Sequence, residues 1–318
     1  MLYGEISGVD KLVSRLIQSA AVLKPGRQEA GWALLDAVFA SGGNCFETAH
    51  IYGGGHSEHA LGQWIKVRGV REDIVIVDKG AHPNGTQQRV EPDAIRRDLL
   101  ESLERLDTPY IDLYLLHRDN PRVPVAPLVD SLEEHRQAGR IRAYGVSNWR
   151  CERIDEANAY AHGIGASGMV SSSPHFSLAE QSAPPWPGCH SIAGADGTVD
   201  RDWYLGQRIP VLCWSSLAGG FFSGRVDPGN FATHERQMPS IWCYDTPVNW
   251  RRLERARAQA DERNRTVPQI ALAWLLAQSA LFFPIIGSCS VEEYLDNLGA
   301  LDVRLSPEEI LWLAADVP

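Results

Sequence analysis

The chain has 318 residues, of which 44% are hydrophobic and 22% are charged, and its formal net charge is -10. This composition excludes a disordered chain, a collagen-like fibre and a coiled coil. The acidic balance disfavours a nucleic-acid partner, because phosphate backbones would be repelled. The longest apolar run, residues 270–277, is far shorter than the roughly 20 residues of a bilayer span. The first residues show no signal-peptide pattern, so we expect a cytoplasmic protein without membrane contact.

Short β-rich runs alternate with helical patterns along the chain. The predicted strands are residues 13–22, 44–49, 74–77, 111–116, 141–146, 169–173, 210–214 and 282–286. The predicted helices are residues 27–40, 58–67, 92–106, 125–138, 150–162, 250–263, 291–298 and 307–314. Eight βα units favour a closed (β/α)8 TIM barrel, in one domain spanning residues 1–318. A doubly wound sheet would also alternate, but the glycine-rich G-x-G-x-x-G turn after its first strand is missing.

Two connections, residues 175–202 and 219–249, are long and rich in Pro and Gly. Structureless connections of this length are usually functional covers or disordered. Six of the ten tryptophans lie in or next to segments that follow strands, at positions 149, 186, 203, 214, 242 and 250. In a barrel these segments surround the active-site mouth, although burial as loop anchors explains such tryptophans equally well.

Polar residues follow the predicted strands at their carboxyl ends, which meet at one rim of a parallel barrel. In chain order they are Glu47, Thr48, His50, Lys79, His117, Ser147, Asn148, Ser173, Ser215, Gly287 and Ser288. Each of them alone is more often structural than chemical. Their arrival at one rim is what predicts a site there.

Lys79 ends a buried strand, where an ammonium is costly without a partner, and Glu47 from the neighbouring strand is the expected partner. Tyr52 follows in a glycine-rich turn. A phenol beside a cation has a lowered pKa and can protonate a developing alkoxide, and His117 could orient the same oxygen. These four side chains predict carbonyl reduction by an external hydride source.

A metal-dependent barrel hydrolase is a second interpretation, because His50, His82, His117 and His175 all lie near strand ends. The sequence has no H-x-H or H-E-x-x-H motif. The six cysteines form no C-x-x-C pair, which disfavours a zinc ribbon or a disulfide framework. We therefore expect no metal.

Four separated segments carry a family resemblance: FETAHIYGGGHSE (46–58), DIVIVDKG (73–80), YIDLYLLH (110–117) and GVSN (145–148). They resemble the signature of the aldo-keto reductases, in order and at the expected spacing, from about residue 30 to residue 301. The resemblance implies a (β/α)8 barrel and an NAD(P)(H)-dependent oxidoreductase acting on a small carbonyl or alcohol substrate.

The resemblance also implies site residues. Tyr52 corresponds to the family's acid, with Lys79 and His117 as its partners, and Glu47 stands where the family has Asp. The predicted cofactor-binding residues are Ser147, Asn148, Ser173, Trp214, Ser215, Leu217, Gly219, Gly287, Ser288, Glu293 and Asn297. His50 and Trp149 are expected to shape the substrate pocket, for which loop tryptophans and polar groups suggest a sugar-like ligand.

Three departures from the family pattern bear on activity and on the cofactor. Glu47 keeps the carboxylate on one more methylene, and Ser173 stands where the family usually has Gln. Cys289 stands where an Arg often lies near the 2′-phosphate, and loss of that charge weakens discrimination for NADP(H). NADP(H) is the favoured cofactor and NAD(H) the alternative. A non-catalytic, dinucleotide-binding regulatory subunit with a decayed site remains a further interpretation.

Overall fold

The computed structural model describes residues 1–85 and 87–315 and shows a closed barrel. The strands are β1 (Tyr3–Gly4), β2 (Val13–Ser14), β3 (Ile17–Ser19), β4 (Cys45–Glu47), β5 (Val75–Gly80), β6 (Ile111–Leu116), β7 (Ile141–Ser147), β8 (Ser172–Ser173), β9 (Val211–Cys213) and β10 (Phe282–Ile286). Strands β1 and β2 pair antiparallel as a separate hairpin. The other eight are parallel and closed in the order β10-β3-β4-β5-β6-β7-β8-β9. The predicted (β/α)8 fold class is therefore confirmed.

Helices follow the strands. They are α1 (Gln28–Ala40), α2 (His56–Arg68), α3 (Pro92–Leu106), α4 (Val125–Gln137), α5 (Cys151–Gly163), α6 (Thr198–Gln207), α7 (Phe231–Gln237), α8 (Pro247–Arg263), α9 (Val267–Gln278), α10 (Val291–Leu298) and α11 (Pro307–Ala314). The part of the chain that the structure describes contains no helix long and apolar enough to cross a membrane.

Alternation along the strands decides which side chains enter the barrel. Val75 and Val77 of β5 pack with Leu113 and Leu115 of β6 in one buried cluster, whereas Ile76 belongs to the larger cluster between strands and helices. The same alternation continues beyond these apolar residues. At the carboxyl ends of the strands it directs every second side chain toward the barrel axis, where the candidate site lies.

The alternation of side chains directs four site residues toward the barrel axis, of which three were predicted and one is new. Lys79 continues the series of Val75 and Val77, and His117 continues that of Leu113 and Leu115. Glu47 and Ser19 lie two residues beyond Cys45 and Ile17, which belong to the inner cluster. Apolar packing below therefore supports a polar layer above it.

The two long connections contain more structure than expected. The segment 175–202 runs into α6, and the segment 219–249 holds α7 and the short helix Pro239–Tyr244. The two connections are also joined by hydrogen bonds. Ser182 donates its backbone N–H to the Cys243 carbonyl at 2.8 Å, and Gln181 Nε2 donates to the Tyr244 hydroxyl at 3.1 Å. The expectation of structureless connections is wrong for these parts.

Candidate active site

Glu47, Tyr52 and Lys79 form one hydrogen-bonded cluster at the carboxyl end of the barrel. Lys79 Nζ contacts Glu47 Oε1 directly and donates to the Tyr52 hydroxyl at 2.9 Å. The Tyr52 hydroxyl lies 3.0 Å from Glu47 Oε1. The side chains of Lys79 and Glu47 are each only 3% exposed. The extra methylene of Glu47 thus leaves the carboxylate in contact with both partners.

Local backbone geometry carries Tyr52 to this position. The turn Tyr52–Gly55 is a short 3-10 helix in which Gly53 and Gly54 have φ of 58° and 64°. Side chains other than glycine rarely adopt this left-handed region, so the glycines permit the tight return of the chain. Helix α2 begins directly after them and holds the turn against the barrel.

The remaining oxygen of the Glu47 carboxylate is also bound. Ser19 at the end of β3 donates its hydroxyl to Glu47 Oε2 at 2.5 Å. With Lys79 and Tyr52 on Oε1, the buried carboxylate accepts three hydrogen bonds. Ser19 is a site residue that sequence reasoning missed, although it ends a strand like the residues that were recognised.

The electrostatics of Tyr52 differ from the expectation. Burial raises the pKa of the Tyr52 phenol above its ordinary value, while the Arg118 guanidinium lowers it and the Asp78 carboxylate raises it. The predicted lowering of this pKa is wrong in direction, because desolvation of a phenolate outweighs the nearby cations. Tyr52 is therefore protonated at neutral pH and available as a proton donor.

Lys79 experiences opposing effects. Burial lowers the pKa of its ammonium, and the Arg118 guanidinium lowers it further. Direct contact with the Glu47 carboxylate favours the charged form. The charged state of each residue therefore depends on the other, because either charge alone would be buried without compensation.

His117 lies beside Tyr52 in an uncharged state. The ring centroids of His117 and Tyr52 are 5.9 Å apart, edge to face, and the His82 ring centroid lies 4.7 Å from that of His117. Burial lowers the pKa of His117 well below its ordinary value, and the charge of Lys79 lowers it further. A neutral imidazole can donate one hydrogen bond without adding charge, which suits a group that orients a carbonyl oxygen.

The predicted carboxamide-binding residues lie together at the ends of β7 and β8. Ser147 Oγ donates to the Ser173 carbonyl at 2.7 Å, and Ser173 Oγ donates to the Leu212 carbonyl at 2.7 Å. Asn148 Nδ2 donates to Ser147 Oγ at 2.9 Å. Trp214 Nε1 donates to Asn148 Oδ1 at 3.1 Å. Asn148 has φ of 63°, so a left-handed backbone turns its amide into this network.

A second group of predicted cofactor residues lies near the ends of β9 and β10. Asn297 on α10 donates to Ser288 Oγ at 3.0 Å, with both side chains buried. Glu293 accepts the Cys289 backbone N–H at 2.8 Å and pairs with Arg225 at 2.7 Å. Gly287 is exposed, and Ser215, Leu217 and Gly219 follow β9 in a turn with φ of 50° at Ser215.

The two predicted substrate residues, His50 and Trp149, both have partners within the protein. His50 Nε2 pairs with Glu101 Oε2 on α3 at 2.8 Å, on the helix side of the strand end. Trp149 is fully buried and donates to the Arg118 carbonyl at 3.0 Å. An ion pair holds His50 and core packing holds Trp149, and their predicted contact with a substrate stays a prediction.

The four histidines of the hydrolase interpretation do not converge. His117 and His82 adjoin each other, His50 pairs with α3, and His175 bonds Ser191 and Tyr244 in the long connections. Among residues 1–85 and 87–315, no group of three or more His, Cys, Asp or Glu could hold a metal ion.

The class defined by this fold and site is a (β/α)8 barrel with a buried Tyr–Lys–carboxylate cluster at its carboxyl rim. A family model described as the Aldo/keto reductase family matches residues 24–314. The chain belongs to the aldo/keto reductase family.

Similar proteins agree with this assignment. Aldo-keto reductase str7 of Strobilurus tenacellus is 29% identical over 281 residues, covering 87% of this chain and 78% of that protein. Aldo-keto reductase yakc [NADP(+)] of Schizosaccharomyces pombe is 27% identical over 294 residues, covering 90% and 82%. Aryl-alcohol dehydrogenase [NADP(+)] of Phanerodontia chrysosporium is 27% identical over 317 residues, covering 92% and 77%.

A solved structure shows the same fold. The crystal structure of a thermostable aldo-keto reductase with the inhibitor epalrestat aligns with a TM-score of 0.76 at 24% identity, covering 100% of both chains.

The family implies a nicotinamide dinucleotide, and the residues at the rim fit one. A Cβ on Gly220 would meet no atom within 4 Å, and one on Gly287 would meet only Val22 at 3.8 Å. The backbone beside β9 and β10 is thus open to a close ligand. Amide and hydroxyl groups at Asn148, Ser147 and Ser288 supply the polar set that such a ligand needs.

Proposed function

We propose that this protein is an NAD(P)(H)-dependent oxidoreductase that transfers a hydride between nicotinamide and a carbonyl or alcohol substrate. One observation carries the proposal: the Tyr52 hydroxyl lies 2.9 Å from Lys79 Nζ and 3.0 Å from Glu47 Oε1 at the barrel rim. The relatives named as NADP(+) enzymes support an oxidoreductase of this kind.

In reduction, a nicotinamide cofactor held by these rim residues would supply the hydride for the carbonyl carbon. Tyr52 donates its phenolic proton to the carbonyl oxygen, and the Lys79 ammonium stabilises the phenolate that remains. Glu47 keeps Lys79 charged and fixes the phenol through Oε1. The neutral His117 donates a hydrogen bond that orients the substrate oxygen. The alcohol oxidation uses the same groups in reverse, with Tyr52 accepting the proton.

The cofactor would be held by two groups of residues. Ser147, Asn148 and Ser173 would bind the carboxamide, with Trp214 beside the ring. Ser215, Leu217 and Gly219 would line the dinucleotide, and Gly287, Ser288, Glu293 and Asn297 would bind the adenosine end. We favour NADP(H) on the names of the relatives. NAD(H) is the alternative, because a carboxylate at Glu293 repels a 2′-phosphate and suits a ribose hydroxyl.

A non-catalytic dinucleotide-binding subunit is the second candidate. It is favoured by the internal hydrogen bonds of the carboxamide residues, since Asn148 Oδ1 already accepts from both His190 and Trp214. This candidate predicts cofactor binding without turnover.

The test combines binding and turnover on the same preparation. Tryptophan fluorescence measures the Kd for NADPH and NADH, and absorbance at the reduced-nicotinamide band follows oxidation with a panel of aryl, aliphatic and sugar-like aldehydes. Turnover of any aldehyde supports the oxidoreductase. Binding without turnover on the whole panel favours the regulatory candidate, and no binding of either dinucleotide contradicts both.

A further inference from the structure

Arg118 directly follows His117 at the end of β6 and is only 8% exposed. Its Nη1 donates to the His117 carbonyl at 2.9 Å. Its Cδ lies 3.4 Å from the position that a Cβ on Gly188 would occupy. The guanidinium is therefore held between the strand end and the long connection 175–202.

Among the residues that the structure describes, no carboxylate pairs with this guanidinium. The neighbouring Asp119 pairs with Arg153 instead. Within residues 1–85 and 87–315, Nε and Nη2 of Arg118 have no hydrogen-bond partner, and neither atom is sealed from solvent. A largely buried cation without an anion is costly, so its retention calls for an explanation.

The charge of Arg118 acts on the catalytic cluster. It lowers the pKa of Tyr52, Lys79, His82 and His117, and its hydrogen bond to the His117 carbonyl holds it beside the last of these. Glu47 compensates Lys79, and burial keeps both histidines neutral. Arg118 therefore adds a positive charge near these groups, in a chain whose formal charge is -10.

The free nitrogens of Arg118 have a specific geometry. Nε and Nη2 lie on one edge of the planar guanidinium, and this edge offers two parallel N–H donors. Two parallel donors match the two oxygens of a carboxylate, whereas a neutral hydroxyl or carbonyl uses only one. The unused fork thus favours a planar oxyanion over a neutral ligand.

We infer that Arg118 binds a carboxylate on the substrate, so that the preferred substrates are small carbonyl compounds that carry a carboxylate. The inference rests on the proposed reductase function and names its substrate class. Trp186 is 48% exposed and its ring lies 6.3 Å from that of Trp214, so it would offer an apolar surface to the substrate body.

The first test compares matched aldehydes. 4-Carboxybenzaldehyde is paired with the neutral 4-formylbenzamide, and succinic semialdehyde with butanal. The ratio of kcat/KM for anion over neutral partner is expected to reach about 10- to 100-fold for at least one pair, from two charge-assisted hydrogen bonds. In Arg118→Met this ratio falls to about one, mainly through KM, and Arg118→Lys restores part of it. Arg122→Met, an exposed arginine four residues along the same segment, keeps the ratio.

The second test does not need turnover. Quenching of tryptophan fluorescence by benzoate and benzamide measures binding to the wild type and to Arg118→Met. Benzoate is expected to bind the wild type at least about tenfold more tightly, and to lose this preference in the variant. Thermal unfolding shows whether Arg118→Met is folded, and we expect no loss of stability because an unpaired cation is removed.

The outcomes separate the two proposals. Turnover of both aldehydes at ratios that Arg118→Met leaves unchanged overturns the carboxylate inference and leaves the reductase intact. Arg118-dependent benzoate binding without turnover of any aldehyde keeps the anion site and contradicts the reductase. Equal binding of benzoate and benzamide overturns the inference whatever the turnover.

Discussion

Replacing Glu47 with Gln is expected to cost this protein about 3–5 kcal/mol of unfolding free energy. The carboxylate and the Lys79 ammonium are each only 3% exposed, so solvent screens their attraction little. Gln keeps an acceptor oxygen for Tyr52 but leaves Lys79 as a buried cation without an anion. Because a typical domain is stable by about 5–15 kcal/mol, this loss is a large share of the total.

A double-mutant cycle separates charge pairing from lost contacts. Lys79→Met alone leaves the carboxylate uncompensated, whereas Glu47→Gln with Lys79→Met removes both charges. The double variant is therefore expected to cost clearly less than the sum of the single variants, by about 2–3 kcal/mol. Urea unfolding at pH 7, with the slope m checked for each variant, measures all four proteins.

Glu134→Gln provides the matched control for this cycle. Glu134 pairs with Arg96 on the surface, where the two side chains are 55% and 53% exposed. Such a pair is worth less than about 1 kcal/mol. The reasoning is refuted if Glu47→Gln costs no more than Glu134→Gln, or if the two single costs at Glu47 and Lys79 simply add.

Three further predictions concern pH and cofactor choice. Burial, then the Glu58 carboxylate, raises the pKa of Asp78 well above its ordinary value, so the fold holds a proton that the unfolded chain releases above about pH 4. The unfolding free energy of the wild type therefore falls as pH rises. The advantage of Asp78→Asn in unfolding free energy should grow by about 1.4 kcal/mol per pH unit until the folded pKa is reached. A difference between the two proteins that stays constant from pH 5 to 8 would contradict this. Burial lowers the pKa of His175 to about 3, so the unfolded chain binds a proton first as pH falls below about 6.5. The stability advantage of the wild type over His175→Gln should therefore shrink by about 1.4 kcal/mol per unit from pH 6.5 to 4, and a constant difference in urea unfolding would exclude the idea. Glu293→Gln removes a carboxylate from the adenosine end and should improve the ratio of NADPH to NADH affinity by about tenfold; an unchanged ratio in fluorescence titrations would remove Glu293 from that site.

Segments with a clear hydrophobic pattern were predicted well. The bounds of α3, β6, β10, α10 and α11 agree with the structure. Helix α3 is amphipathic, and all six residues of β6 are buried, as expected for a strand covered on both faces. Strong periodicity or uniform burial is visible in the residue types themselves.

Other elements lacked such a signal. Helix α9 was missed because ten of its twelve residues are buried, so its apolar residues show no single face. Strand β8 spans only Ser172–Ser173, whereas residues 169–173 were predicted, and its pairing with β7 is limited to these two residues. Tertiary packing decided both cases, and packing cannot be read from a local pattern.

In the candidate site, too, some features could be predicted from the sequence and others depended on packing. Strand ends and spacing brought Glu47, Tyr52, Lys79 and His117 together, because parallel strands carry their carboxyl ends to one rim. The direction of the Tyr52 pKa was missed because it depends on burial, which spacing does not reveal. Arg118 was missed because a lone arginine beside a strand end usually lies on the surface, and only its contacts show that it is covered.

The most direct test of the central claim is a single-turnover measurement on Tyr52→Phe. Excess enzyme with bound reduced cofactor is mixed with the best aldehyde of the panel, and nicotinamide oxidation is followed by stopped flow. Fluorescence quenching on the same sample confirms that the variant still binds the dinucleotide. We expect binding within about twofold of the wild type and a hydride-transfer rate lowered by about 100-fold or more, because the phenolic proton is lost. A Tyr52→Phe protein that oxidises the cofactor at the wild-type rate would contradict the account.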